Sequence, residues 1–155
     1  MRFTRSTLRS NQRGLAAVEF AISLPLLLFL MLATAELGRL LSQYDTLTKS
    51  VRDGSRYVAG KAALGTTGVV NISTQVRSEA SNLVATGTIG VAGTPLLQGL
   101  SASNVTVTDA GNGYVSVSAS YTYIPMLGAS LPTFGFGSPI PLAFPLNATV
   151  VMRVL

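Results

Sequence analysis

The chain has 155 residues, of which 48% are hydrophobic and 11% charged, and it contains no cysteine, histidine or tryptophan. The missing cysteines exclude a disulfide framework and a thiolate site, and the missing histidines remove the usual general base and metal ligand near neutral pH. The formal charge of +5 does not point to nucleic acid as a partner, because Arg2, Arg5, Arg9 and Arg13 all precede one apolar run and the other basic residues are scattered.

Residues 1–14 read as a basic leader without an acid. Four arginines ahead of a membrane helix hold that end in the cytoplasm and send the rest outward. The apolar run is residues 15–35, Leu15 to Ala35, and at 1.5 Å per residue it makes a helix about 31 Å long, enough to cross a bilayer core. Its one charge is Glu19. Pro25 removes the helix bond to the Ala21 carbonyl and predicts a kink or a local loosening. Ala33-Thr34-Ala35 resembles a signal peptidase site. Against a cleaved secretory signal stand the length of the run, the acid near its start and a helical pattern that continues past Ala35.

That continuation, residues 36–60, predicts an amphipathic half-helix. Leu37, Leu40, Leu41, Tyr44, Leu47 and Val51 recur at three- and four-residue steps, and Arg39, Gln43, Asp45, Lys49, Arg52 and Asp53 fill the other positions. Gly60 is the expected stop and Gly65-Thr66-Thr67-Gly68 the expected linker. Residues 61–155 then form a small extracytoplasmic domain. Asn71 is the expected cap of a helix from Ile72 to Ala85, with Ile72, Val76, Ala80 and Leu83 on its inner face and Glu79 near its middle.

From Asn104 the period changes to two. Val105 and Val107, then Val115, Val117, Ala119, Tyr121 and Tyr123, alternate with Ser and Thr around a turn at 109–113, which predicts a hairpin. The stretch 124–145 carries five prolines and reads as a loop, with Phe134, Phe136 and Phe144 either pinning it to the core or offering a contact surface. Leu146, Ala148, Val150, Met152 and Val154 predict a last strand beside the hairpin. The three triplets at Asn71, Asn104 and Asn147 match a glycosylation sequon and read as solvent-facing polar residues. The fold class is therefore α+β: a long N-terminal transmembrane-plus-amphipathic helix, a small antiparallel sheet and one short extra helix.

Arg13-Gly14-Leu15-Ala16-Ala17-Val18-Glu19-Phe20 ahead of the apolar helix resembles a class III prepilin signal. In such signals a membrane aspartic peptidase cuts after the glycine, and the apolar helix is kept as the assembly element. The sequence is further similar to the TadE-like minor pilins, or pseudopilins, of the tight-adherence (Tad/Flp) pilus. The elements that carry this are Gly14 with Val18-Glu19-Phe20, Pro25 within the helix, Glu36 near its exit, and Ser55-Arg56-Tyr57-Val58-Ala59, where serine stands in place of a common alanine. The resemblance extends to about Gly60; beyond it only the plan of strands ending in Met152-Arg153 is similar.

The resemblance implies a pilin-like fold and processing between Gly14 and Leu15, with Glu19 and Phe20 serving peptidase recognition and assembly. It implies no catalytic residue, no metal and no cofactor. The implied partners are a prepilin peptidase, other minor pilins, the major Flp pilin, the inner-membrane pilus assembly platform and membrane lipid. The implied location is a bacterial inner membrane with the body outside, and then the pilus.

Independently of any family, an ionised Glu19 inside lipid costs several kcal/mol unless it is paired. Cleavage after Gly14 would create an amine on Leu15 about one helical turn away, on the same or a neighbouring subunit. The alternative is an interfacial glutamate that reaches the headgroups. Two other classes stay in view: a single-pass anchored envelope module outside any filament, and an envelope enzyme. The six acids are Glu19, Glu36, Asp45, Asp53, Glu79 and Asp109, and no two flank a predicted cleft.

Overall fold

A computed structural model describes residues 12–63, 70–90, 93–126, 128–131 and 137–154. Arg2, Arg5 and Arg9 of the leader, the expected linker at 65–68, and Phe134 and Phe136 lie outside these. The chain divides between Leu37 and Gly38 into two compact units. One helix, α1 (Gln12–Lys61), continues through the division. It takes in Gln12 and Arg13 ahead of Gly14, and it ends one residue past Gly60, so neither glycine marks a helix end. The helix also runs through Pro25.

Within residues 38–155 the buried face of α1 is Leu47, Ser50, Val51, Gly54, Ser55, Val58 and Ala59, with Leu40 partly buried and Ala62 buried just past the helix end. This corrects the expected stripe. Leu37 and Leu41 are each 57% exposed and Tyr44 is 44% exposed. Arg39 and Gln43, expected outside, instead each bury a polar atom, Arg39 Nε and Gln43 Oε1. The inner face is built from small residues as much as large ones. Ser50 and Ser55 enter it because their hydroxyls donate to their own helix, to Leu47 O at 2.9 Å and Val51 O at 2.8 Å.

The second helix, α2 (Thr74–Thr86), starts later than expected. Its cap is Ser73, whose hydroxyl accepts from Val76 N at 3.2 Å, and not Asn71. Asn71 N donates instead to Ala62 O at 2.9 Å, beside a single bridge between Ala63 and Val70. Gly87 closes the helix in the left-handed region (φ 75°) and donates to Leu83 O. The buried face is Ala80, Ser81, Val84 and Ala85, rotated from the expected one, which leaves Ile72, Val76 and Leu83 half-buried.

The sheet has strands β1 (Val105–Gly111), β2 (Tyr114–Thr122) and, after β3 (Ser130–Leu131) and β4 (Ile140–Pro141), β5 (Pro145–Arg153). The order is β1-β2-β5, all antiparallel, so the last strand pairs with the hairpin as expected. The hairpin turns through Asn112-Gly113, with positive φ at Gly111, Asn112 and Gly113, and a bulge precedes it between Asp109 and Gly111. Asp109 Oδ1 accepts from Gly111 N at 2.7 Å and braces the bulge.

Alternation sends Val105, Val107, Val115, Val117, Ala119, Tyr121, Leu146 and Ala148 into the core beside α1 and α2. Val150 and Met152 pack half-buried at its margin, where Leu40 also sits. Among its described residues up to Phe144 the proline-rich stretch holds no strand longer than the two-residue β3 and β4, which pair with each other. Phe144 tilts against Tyr123 with ring centroids 5.9 Å apart and keeps 38% of its surface exposed, so it both pins the stretch and shows a face.

Candidate functional site

The apolar half of α1 is long and apolar enough to cross a membrane, and none of that stretch is buried. A core helix of a soluble domain would be mostly covered. Here Leu15 and Ile22 are each 74% exposed and Phe20 is 60% exposed. The hydroxyls in the run are turned back onto the helix. Ser23 donates to Glu19 O at 2.9 Å and reaches Phe20 O at 3.3 Å, and Thr34 donates to Leu30 O at 2.8 Å. Such bonds let serine and threonine sit in lipid without an unsatisfied group. Glu19 differs: among the described residues its carboxylate has no hydrogen bond or ion pair.

Gly14 has nothing within 4 Å of where a β-carbon would stand, so no packing inside the chain requires a glycine there. Leu15 is the next residue, one turn before Glu19, and both are exposed. Arg13 belongs to the first turn of α1. Glu36, near the end of the run, is buried with 7% of its surface exposed.

Two of the acids beyond the apolar run, Asp45 and Glu79, hold side-chain partners. Asp45 pairs with Lys49 at 2.7 Å, one turn along α1. Glu79 accepts from Tyr57 Oη and, at 2.9 Å, from Gln75 Nε2, which links α1 to α2. The Tyr57 bond, then the Gln75 bond, lowers the Glu79 carboxyl from its ordinary value of 4.5; the same bond raises the Tyr57 phenol from 10.0. This link went unread in the sequence, where Tyr57 figured only in the family element. Among the described residues no group of three or more metal-ligating side chains is brought together.

One comparison with known proteins gives a match. Residues 14–56 match the family of TadE-like proteins. This segment is TadE-like. The matched residues include Gly14, Glu19, Phe20, Pro25 and Glu36 and run to Arg56, and they lie on α1. The match is to that family over this segment alone, and the half of α1 long and apolar enough to cross a membrane lies within it. It stops short of α2 and the sheet. No curated protein and no solved structure matches the chain.

Ser55, the departure from the usual alanine, is fully buried with its hydroxyl on Val51 O, so a small residue is what the TadE-like segment needs there.

Proposed function

We propose that this chain is a minor pilin, or pseudopilin, of a Tad/Flp-type pilus used in adhesion. It assembles through its N-terminal helix and helps to initiate, cap or anchor the filament. The observation that carries the reading is the TadE-like match over residues 14–56, which contains an exposed apolar helix with Glu19 as its one charge. A prepilin peptidase removes residues 1–14 by cutting between Gly14 and Leu15, with the leader arginines holding that end in the cytoplasm. Glu19 and Phe20 serve recognition and assembly, Pro25 loosens the helix, and the body stands outside the inner membrane. Its partners are other minor pilins, the major Flp pilin and the assembly platform.

In the assembled state the new Leu15 amine and Glu19 neutralise each other away from water. Breaking a buried pair by removing one member costs about 3–5 kcal/mol, or roughly two to three orders of magnitude in an association constant. Glu19→Gln keeps the shape and removes the charge. Expression and membrane insertion should stay near normal while pilus number, or co-purification with a partner pilin, falls sharply. Normal piliation at wild-type protein level would leave α1 as a passive tether for an anchored envelope module.

A further inference from the structure

The outward face of the sheet holds a neutral polar cavity over all three strands. Strand register lines up Thr106, Ser118 and Thr149 across β1, β2 and β5, and one step along it pairs Ser120 with Asn147. These residues, with Asn104 and Ala119, line a cavity of about 270 Å³. None of the six polar side chains is charged. Asn104 is held from outside the cavity: its Oδ1 accepts from Ser101 N at 3.0 Å and Ser101 Oγ at 2.6 Å, which leaves its NH2 donors unused. Beyond the backbone ladder, the side chains of Thr106, Ser118, Ser120, Asn147 and Thr149 make no hydrogen bond to another described residue. By contrast, the hydroxyls of α1 at Thr46, Thr48, Ser50 and Ser55 bond their own helix.

We propose that this cavity binds a neutral oligosaccharide, with one sugar ring lying across β1, β2 and β5. An apolar ligand would strand six polar groups, and an ionic one would meet no countercharge in the lining. Hydroxyl and amide groups both donate and accept, and neighbouring strands present them about 4.7–4.9 Å apart, a spacing over which a polyhydroxylated ring can meet several at once. The volume lies just below the roughly 300–1,000 Å³ of small-molecule sites, which suits a single ring with the rest of the chain running outward. Alternation along β2 puts Tyr114, 42% exposed, on the same face beyond Ser116, as an aromatic surface for the apolar side of a following sugar.

The full chain in detergent micelles, applied to an array of neutral and acidic glycans, identifies the strongest neutral binder, and amide shifts of Thr106, Ser118 and Thr149 then follow its titration. Saturable shifts at these residues are expected. Ser118→Lys should weaken binding about tenfold or more, and so should Thr149→Lys, which sits on the outer strand where a change disturbs folding least; Gln98→Lys, outside the cavity, should not. The proposal is overturned if no neutral glycan binds saturably, if only acidic glycans bind, or if both lysine variants bind like the wild type. It is equally overturned if the wild type binds no glycan and Ser118→Lys instead loses a partner pilin, which would give the face to a protein.

Discussion

At Gly54 the buried face of α1 comes against α2: a β-carbon there would overlap Val84 Cγ2 and lie 3.6 Å from Ala80 O. Val84 is fully buried and has little room to yield. Gly54→Val should therefore destabilise the protein by about 1–3 kcal/mol, which outweighs the few tenths gained from better helix propensity. Gly60 has nothing within 4 Å, so Gly60→Ala should stabilise by up to about 1 kcal/mol. Denaturant midpoints of the detergent-solubilised protein separate the two. Equal effects would mean that α1 and α2 do not meet closely at Gly54.

The Tyr57–Glu79 link has a pH signature. The folded carboxyl is lowered from 4.5, so its contribution is present above that value and is lost as pH falls through the lower folded one. The folded phenol is raised from 10.0, so its contribution is present below 10.0 and is lost as pH rises through the higher folded value. Tyr57→Phe should lower stability between these limits, and its deficit against wild type should shrink at both acid and alkaline ends. A deficit independent of pH would mean that the ring's packing, and not the hydrogen bond, is what the fold uses.

Among the elements, the hairpin and the last strand were legible because period-two alternation and the turn at 109–113 state the same register, and one face had to be buried. The helices were less so. On α1 the large apolar residues Leu37, Leu41 and Tyr44 pointed to a stripe that the fold leaves exposed, while the true face includes Ser50, Gly54 and Ser55. Hydrophobicity alone cannot see a face chosen for close approach, nor hydroxyls that satisfy themselves on their own helix. On α2 the choice between Asn71 and Ser73 turned on two residues' difference in start, which both cap types permit. Ser73→Ala should cost about 1 kcal/mol and shift the thermal midpoint downward, whereas Asn71→Ala should do no such thing through capping. The reverse result would restore Asn71 as the cap.

At the scale of the whole molecule, the TadE-like segment was readable and the distal surface was not. Gly14, Glu19, Phe20 and Pro25 stand at fixed spacing in one helix, so sequence order already gives their geometry. The polar cavity draws Asn104, Ser118 and Thr149 from three places in the chain, and only the strand register brings them together. The account therefore rests on what happens at the front of α1, where an unhindered Gly14 precedes an exposed Leu15. Intact mass of the protein extracted from membranes, with the N-terminal residue identified, tests this most directly. The expected mature chain lacks residues 1–14 and begins at Leu15. A chain that retains Met1, or one that begins at Glu36 after cleavage behind Ala35, would contradict it.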